Sequence, residues 1–332
     1  MGDNTSVKFT SLGAIIQEFN VGGQNIVQGF TTQKLYEEHN SPWFGANIGR
    51  VANRIKDGII RDLNGREYQL EQNDAPNALH GGSQGWGRRN FEGPTVLQRH
   101  GKETLLYTYR SLHNEAGYPG TVDLKVFYTV GEEKEGNITR SVLDIEYEAE
   151  LVGDECEETV INLTNHSYFN LGSGATTEGT VAKLSTQDYL PLEGGIPRGP
   201  IEPYPSQVTK QFTFGPENQF DDIFVMEREI ARVPLDTRGQ PLQLQAEFRH
   251  PDSRLNLQVY STEPAFQFYT GQGIDVPATE GNPSRGPFAG FCIEPSRFVN
   301  AINEPAWRHT VVLKKGAQYG SKITYKAWRD PR

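Results

Sequence analysis

A histidine lies among strand-favouring side chains in the segment 162–171, which reads Asn-Leu-Thr-Asn-His-Ser-Tyr-Phe-Asn-Leu. Strand periodicity would send Thr164, His166 and Tyr168 to one face and the side chains between them to the other. Imidazole titrates near neutral pH, so His166 is suited to general acid or base catalysis. A buried histidine satisfied by hydrogen bonds is the alternative, and this segment alone does not decide between the two.

A glutamate much further along the chain has the character of a general base. Glu294 ends the apolar run Gly-Phe-Cys-Ile-Glu, and strand alternation places its side chain on the same face as Cys292. Partial burial at that point would raise the pKa of the carboxyl toward the range that a general base needs. The alternative is a hydrated glutamate at the end of a strand.

Two motifs in the first third of the chain offer hydrogen-bond donors. Asn53 and Arg54, in the segment 49–55, present several donors in fixed geometry, which suits hydroxyl groups. His80 comes directly before two glycines, where a backbone can approach a ligand closely. Taken singly, a surface arginine and a turn histidine are the simpler interpretations.

Two further motifs follow in the second half of the chain. Asp221 lies between aromatic residues in the segment 220–224, and Gln267 begins the segment Gln-Phe-Tyr-Thr-Gly. A carboxylate against apolar neighbours often accepts hydrogen bonds from hydroxyl groups, although an acid in a loop is more often simply solvated.

The spacing of the histidines argues against a metal site. The seven histidines show neither His-x-His nor His-Glu-x-x-His spacing, so we expect no bound metal. The sequence also contains no Gly-x-Ser-x-Gly motif, no phosphate-binding loop and no Gly-x-Gly-x-x-Gly after a strand. Nucleotide binding and serine-hydrolase chemistry therefore have no support.

Strand-type alternation dominates the chain, so strands must position these side chains. It is clearest at 122–130, 143–151 and 242–248, with shorter runs at 255–259 and 323–327. A period of two over many segments is typical of half-buried antiparallel strands. Helical periodicity is confined to one short predicted helix at 32–39. Weaker strands are predicted at 7–10, 26–30, 68–70, 104–109, 266–270, 290–294 and 310–313.

These elements predict an all-β protein, a large single-domain antiparallel β-sandwich over residues 1–332 with long loops and little helix. A split into two β-domains near Gly153 is the alternative. The longest loop-like segment, 190–206, carries several prolines but also Leu190, Leu192 and Ile196. We expect these apolar side chains to pack the segment across the surface.

Composition and charge limit the possible partners. The chain of 332 residues has a net charge of −10 and a pI near 5.3, which predicts binding to neither nucleic acid nor an anionic membrane. Two cysteines, Cys156 and Cys292, indicate reduced thiols in a cytoplasmic protein, with a single disulfide left open. No signal peptide is visible, and no apolar run reaches the roughly 18 residues of a membrane span.

Taken together and in this order, the motifs resemble the aldose 1-epimerases, also called galactose mutarotases. The likeness runs through nearly the whole chain, and the segment 162–171 is its most specific part. The matching segments are 12–14, 25–30, 49–55, 79–82, 117–120, 162–171, 266–271 and the strand that ends at Glu294.

The resemblance implies a mutarotase-like supersandwich with an open cleft across one sheet, no cofactor, and interconversion of the α and β anomers of free hexoses such as glucose and galactose. It implies a monomer or homodimer whose partner is the free aldohexose. By motif, His166 resembles the general acid, Glu294 the general base, and His80 an assisting histidine near the ring oxygen. The groups implied for substrate binding are Asn53, Arg54, His80, Tyr168, Asp221 and Gln267.

The chain departs from the family pattern at Asp222, Gln272 and the pair Pro295-Ser296, which bears on substrate preference more than on the acid–base pair. Three alternatives stay open. One is a hexose-6-phosphate 1-epimerase, which would need a basic cluster for the phosphate. Another is a non-catalytic carbohydrate-binding protein on the same fold. The third is a glycoside hydrolase with Asp221 and Glu294 as its two carboxylates.

Overall fold

Antiparallel strands build almost all of the computed structural model, which describes residues 5–331. Strands make up 48% and helices 8%, which confirms the predicted all-β class. In chain order the strands are β1 (Ser6–Thr10), β2 (Ile15–Val21), β3 (Gln24–Asn25), β4 (Ala46–Ile48), β5 (Arg54–Ile55), β6 (Ile59–Leu63), β7 (Arg66–Gln69), β8 (Ala78–Leu79), β9 (Glu92–Arg99), β10 (Lys102–Ser111), β11 (Val122–Glu135), β12 (Ile138–Leu151), β13 (Glu158–Val160), β14 (Thr164–His166), β15 (Tyr168–Phe169), β16 (Val181–Leu184), β17 (Asp188–Leu190), β18 (Leu192–Glu193), β19 (Ile196–Pro197), β20 (Glu202–Pro203), β21 (Phe212–Thr213), β22 (Asp221–Val225), β23 (Gln243–Arg249), β24 (Leu255–Ser261), β25 (Ala265–Tyr269), β26 (Phe291–Ser296), β27 (Val312–Lys314) and β28 (Gln318–Arg329).

Helical structure is short, as predicted. Helix α1 spans Gln33–His39, and the Thr32 side chain caps it by accepting a hydrogen bond from the Leu35 N–H at 3.4 Å. This confirms the helix predicted at 32–39. Single 3₁₀ turns occur at Lys56–Gly58, Trp86–Arg88, Glu115–Gly117, Ile230–Arg232, Ala301–Asn303 and Arg308–Thr310.

Nine strands form the larger sheet, in the order β21-β16-β23-β24-β28-β12-β11-β10-β9. The hairpin of β11 and β12 is its longest pairing, with 14 residues in each strand and a register that places Val122 opposite Leu151. Val122, Leu124 and Val126 are buried, whereas Asp123 and Lys125 between them are half-buried. The alternation in the sequence therefore corresponds to an inner and an outer face of this sheet.

Six strands form the second sheet, in the order β15-β26-β25-β22-β17-β20. Aromatic rings join it to the larger sheet. The ring of Tyr325 on β28 lies 5.0 Å from that of Phe169 on β15, and Phe248 on β23 lies 4.3 Å from Phe291 on β26. Two sheets that bury their facing sides against each other form a sandwich, so the predicted fold is confirmed.

The strand predicted at 26–30 is wrong. The Ile26 N–H donates to the Phe19 carbonyl at 2.9 Å, whereas the Gln28 N–H donates to the Tyr168 carbonyl at 2.8 Å. Because successive hydrogen bonds go to two different neighbours, no continuous ladder forms, and the regular strand ends with β3.

The segment 162–171 contains two short strands, β14 and β15, that are separated at Ser167. β14 pairs with β4, but β15 pairs with β26, so the chain changes partner at Ser167. The Asn165 side chain holds this change, because its Oδ1 accepts hydrogen bonds from the Ser167 N–H at 3.1 Å and the Ser167 hydroxyl at 2.6 Å. The predicted alternation persists, since His166 and Tyr168 line a cavity while Phe169 packs in the core.

A β-bulge interrupts the alternation predicted for 242–248. The register between β23 and β24 shifts between Leu244 and Ala246, and the side chain of Gln245 is buried there. Its Nε2 donates to the Glu263 carbonyl at 3.4 Å, so this polar group points inward against the sequence pattern.

Both cysteines are free thiols. Cys156 is half-buried, and Cys292 is fully buried on β26. Among residues 5–331, no helix combines the length and the apolar character that crossing a bilayer requires.

Candidate active site

One cavity of about 290 Å³ collects every side chain that the sequence predicted for catalysis or binding. One wall is formed by four strands of the six-stranded sheet, β15, β22, β25 and β26, together with the neighbouring strand β14. The loops around β4, β5 and β8 form the other wall. The lining residues are Ser41, Pro42, Trp43, Asn53, Arg54, Leu79, His80, His166, Tyr168, Asp221, Gln267, Tyr269, Gly273, Ile274 and Glu294.

The sheet wall is positioned by strand register. Gln267 on β25 lies directly opposite Glu294 on β26, and Asp221 at the start of β22 lies opposite Tyr269 on β25. Side chains of residues paired across neighbouring strands point to the same face, which explains why residues so distant in sequence meet in one cavity. β14, which carries His166, packs against β26.

The loop wall is held by two residues that bond to each other. The Asn53 N–H donates to Nδ1 of His80 at 3.1 Å, and the His80 N–H donates to the Asn53 carbonyl at 2.9 Å. Both residues have left-handed backbones, with φ of 59° at Asn53 and 52° at His80. Such a backbone is uncommon for residues other than glycine and clusters at functional sites.

His80 is a neutral hydrogen-bond donor. Because its Nδ1 accepts the Asn53 N–H, the proton of the neutral ring resides on Nε2. Burial lowers the pKa of His80 well below its ordinary value, and the neighbouring His166 and Arg54 lower it further. The ring therefore offers an N–H group to a ligand without carrying a charge.

His166 and Glu294 form the centre of the cavity. Nε2 of His166 lies 3.4 Å from Oε1 of Glu294, and each side chain is 5% exposed. Burial lowers the pKa of His166 to about 4, since a charged imidazolium loses its hydration there. Burial, reinforced by the negative charge of Asp221, raises the pKa of Glu294 to about 8.

The two opposite shifts leave the pair with one proton over a wide pH range. Between about pH 4 and pH 8 the pair holds a single proton, and the pKa directions place it on Glu294 rather than on His166. Moving that proton to His166 gives an imidazolium beside a carboxylate with no change in total charge. The pair can therefore accept one proton and release another in the same step.

A chain of amide hydrogen bonds connects the two walls. Nδ2 of Asn53 donates to Oε1 of Gln267 at 2.9 Å, and Nε2 of Gln267 donates to Oδ1 of Asp221 at 2.7 Å. This chain fixes the orientation of the Gln267 amide, because each end has a partner of definite polarity. It leaves the second carboxylate oxygen of Asp221 able to accept a hydrogen bond from a hydroxyl group.

Trp43 is a cavity residue that the sequence analysis missed. Its ring centroid lies 4.8 Å from that of His80 and 6.2 Å from that of His166, and its backbone φ is 59°. An aromatic face in a polar cavity suits the C–H groups of a sugar ring. The available signal was an aromatic residue directly after Ser41-Pro42 in a predicted loop.

Two histidines and a carboxylate meet in the cavity, which raises the question of a metal. The ligand atoms of His80, His166 and Glu294 all lie within 4.8 Å of one another. A metal-bound histidine ordinarily donates its second ring N–H to an acceptor. His80 instead accepts the Asn53 N–H, and Nδ1 of His166 faces the Cys292 thiol at 3.6 Å. The hydrogen bonding of the His80 ring does not suit a metal ligand, and the absence of a metal stays a prediction.

The sequence matches known proteins along nearly its full length. The family model described as aldose 1-epimerase matches residues 1–326. The chain is 35% identical over 327 residues to the bifunctional protein gal10 of Schizosaccharomyces pombe, which covers 97% of this chain and 44% of that protein. It is 33% identical over 336 residues to the galactose mutarotase of Sus scrofa, covering 96% and 89%. The chain thus spans less than half the length of the bifunctional relatives it matches.

Solved structures share the fold. The GalM/aldose epimerase homologue from C. elegans superposes with a TM-score of 0.81 at 22% identity, covering 99% of this chain and 97% of that one. The galactose 1-epimerase from Lactobacillus acidophilus NCFM gives 0.76 at 19%, covering 98% and 92%. At these identities the likeness establishes the fold alone, and the sequence matches establish the family. The chain belongs to the aldose 1-epimerase family.

Proposed function

We propose that this chain interconverts the α and β anomers of free aldohexoses, glucose or galactose, by opening and reclosing the hemiacetal ring. The observation that carries the proposal is the 3.4 Å separation of His166 Nε2 and Glu294 Oε1 in a cavity lined by hydrogen-bonding side chains. The name galactose mutarotase, borne by a relative at 33% identity, supports the same reaction.

Ring opening requires one proton to leave and another to arrive. The Glu294 carboxylate takes the proton of the C1 hydroxyl, the C1–O bond to the ring oxygen breaks as the C1 carbonyl forms, and the His166 imidazolium gives its proton to the ring oxygen. Rotation about the C1–C2 bond then presents the other face of the aldehyde. Ring closure reverses both transfers, so the pair ends with the single proton with which it began.

The protonation state of the His166–Glu294 pair from which ring opening starts differs from the state that the pair prefers without substrate. Ring opening with these roles begins from the imidazolium–carboxylate form, whereas burial favours the neutral pair. Sugar hydroxyls that donate to the carboxylate stabilise its charged form, because hydrogen bonds to an ion favour that ion. Substrate binding thereby shifts the proton from Glu294 to His166 without any exchange with solvent.

The other cavity residues bind and orient the sugar. His80 offers its Nε2–H near the ring oxygen. Asp221 and Gln267 accept and donate hydrogen bonds to hydroxyl groups from one wall, while Asn53 and Arg54 donate from the other. Tyr168 packs beside the His166 ring, with centroids 5.1 Å apart, and so contributes shape as well as a hydroxyl group.

The charges in the cavity favour a free hexose over a hexose 6-phosphate. Among the lining residues the permanent cation is Arg54, and its Nε already donates to Asp74 at 2.6 Å. Asp221 and Glu294 add acidic groups to the same cavity. A phosphate dianion would meet these carboxylates without the basic cluster that phosphate binding needs.

The deciding experiment is polarimetry of the isolated chain on fresh α-D-galactose, α-D-glucose and α-D-glucose 6-phosphate, with the spontaneous rate subtracted. We expect acceleration for the free sugars and unchanged rates after treatment with a chelator. Binding without acceleration would identify a carbohydrate-binding protein. Release of reducing sugar from a glycoside would identify a hydrolase. A rate that falls with chelator and returns with zinc would overturn the metal-free assignment.

Three further predictions accompany this function. We propose that the chain is one domain over residues 1–332, works as a monomer or homodimer, and acts in the cytoplasm without nucleic acid or membrane partners. The acidic net charge of −10 and the two free thiols support this setting. Light scattering coupled to gel filtration measures the oligomeric state directly.

A further inference from the structure

The guanidinium of Arg54 contacts two residues that do not line the cavity, Asp74 and Gly195. Its Nε donates to Oδ2 of Asp74 at 2.6 Å. The tip of the hairpin formed by β18 and β19 lies against the same side chain, because a β-carbon added to Gly195 would come within 2.5 Å of Cδ and Nε of Arg54. The guanidinium is thus held at its Nε edge by a carboxylate and covered by a glycine backbone.

One turn supports both contacts. The Asp74 N–H donates to the Asn77 carbonyl at 3.1 Å, and the Asn77 N–H donates to the Asp74 carbonyl at 2.9 Å. Nδ2 of Asn77 then donates to the carbonyl of Gly194 at 3.0 Å, which ties down the hairpin tip. The carboxylate that holds Arg54 and the hairpin that covers it therefore belong to one connected unit.

We propose that Asp74 and Gly195 are positioning residues for Arg54, and that the β18–β19 hairpin is the outer support of the substrate-binding arginine. The inference rests on the proposed function. An arginine side chain has many rotamers, and fixing it before the ligand arrives removes an entropic penalty from binding. Nη1 of Arg54 lies 3.5 Å from Oδ1 of Asn53, which also lines the cavity, so this terminal nitrogen faces the sugar side.

The ion pair of Arg54 with Asp74 also suits an uncharged ligand. A guanidinium neutralised by a carboxylate still offers directed N–H donors but little net charge, which suits the uncharged hydroxyl groups of a free sugar. Gly195 is required for packing as well as for its backbone, whose φ is 75°. Any side chain at this position would push the Arg54 guanidinium out of its place.

The test compares two glycine substitutions at positions with nearly the same positive φ. In Gly195→Ala the new methyl group meets Arg54, whereas in Gly199→Ala, with a φ of 72°, a β-carbon meets nothing within 4 Å. We expect Gly195→Ala to raise KM for galactose about tenfold or more, the effect of losing a hydrogen bond from a charged group, with kcat within about twofold. Gly199→Ala should keep the wild-type KM and kcat.

Asp74→Asn is a second test of the positioning of Arg54, and it leaves the β18–β19 hairpin unchanged. It keeps the shape of the side chain but removes the charge, and we expect a rise in KM with kcat preserved. In an Arg54→Ala background, neither Gly195→Ala nor Asp74→Asn should raise KM further, because the side chain through which they act is gone.

The outcomes separate this inference from the proposed function. A wild-type chain without mutarotation would overturn the function itself. An active wild type whose Gly195→Ala and Asp74→Asn variants both keep the wild-type KM would overturn only the positioning role. KM increases that persist in full in the Arg54→Ala background would do the same, since they would act elsewhere. If Gly195→Ala fails to fold, Asp74→Asn alone decides between these results.

Discussion

At the scale of single residues, burial gives His166 and Glu294 complementary proton affinities. An exposed glutamate would be fully ionised at neutral pH, and an exposed histidine would titrate near 6.5. In the cavity the pKa of Glu294 rises to about 8 and that of His166 falls to about 4. The buried environment penalises charge on both groups, so the pair retains one proton and keeps it inside the cavity.

Glu294→Gln and His166→Asn should each abolish most activity. Each substitution removes a proton donor or acceptor while keeping an uncharged polar side chain, so sugar binding should persist. We expect losses of about 10²–10⁴-fold in kcat, the usual contribution of general acid–base catalysis. Polarimetry measures the rate, and calorimetry measures galactose binding. The exposed Glu217→Gln is the matched control, and a near-wild-type rate in either cavity variant would disprove the assigned roles.

The activity should fall at both low and high pH. Below about pH 4 His166 takes up a second proton, and the pair lacks a base. Above about pH 8 Glu294 loses its proton, and the pair lacks an acid. We therefore expect kcat/KM to form a plateau between these apparent values, which belong to the pair rather than to either residue. The spontaneous rate must be subtracted at each pH. Activity that continues to rise through pH 9 would contradict the shared-proton account.

At the scale of elements, the change of partner at Ser167 places His166 in the cavity. β14 and β15 join different strands, and the buried amide of Asn165 spans the junction. Its Nδ2 donates to the Gly45 carbonyl at 3.0 Å, and its Oδ1 accepts from Ser167. One side chain therefore fixes the loop before β4 and the start of β15 on either side of the histidine.

Asn165→Ala should lower both stability and activity. The buried Ser167 N–H and hydroxyl lose their acceptor, whereas the Gly45 carbonyl keeps the hydrogen bond from the Ile16 N–H. Each unsatisfied group costs about 1–3 kcal/mol. We expect the free energy of unfolding to fall by about 2–4 kcal/mol, and kcat to fall because the backbone that carries His166 is no longer fixed. Urea denaturation and polarimetry measure the two effects. Asn137→Ala, in the exposed turn between β11 and β12, should change stability by less than about 0.5 kcal/mol.

At the scale of the whole molecule, the two halves of the sequence share one core. The main hydrophobic cluster runs in sequence from Ala14 to Ala327. β12 pairs with β28 from Ser141 opposite Ala327 to Glu150 opposite Gln318, across the alternative boundary near Gly153. Separating the halves would expose these strand edges and the facing aromatic rings to water.

The chain should therefore unfold in a single transition. Circular dichroism reports on all strands, and tryptophan fluorescence reports on Trp43 and Trp86 in the first half and on Trp307 and Trp328 in the second. We expect the two signals to change together with urea. Two separated transitions, or a fragment 154–332 that folds cooperatively by itself, would favour the two-domain alternative.

The sequence by itself determined the all-β class, the short helix, most strands and eight of the fifteen residues that line the cavity. The elements follow from period-two alternation, and the eight residues follow from the ordered motifs and the family resemblance that these motifs carry. The strand predicted at 26–30 was wrong. A residue pattern does not reveal that hydrogen bonds go to two different neighbours.

Only the tertiary structure decided what identical residue types do. Arg50 and Arg54 belong to one motif, yet Arg50 is 1% exposed and donates to the backbone carbonyls of Pro119 and Gly120, whereas Arg54 lines the cavity. The place of Trp43 and the protonation of the His166–Glu294 pair were likewise decided by packing. Strand register and the packing of the two sheets bring these side chains together and bury them. Their proximity and burial then determine the electrostatic environment on which the chemistry of each group depends.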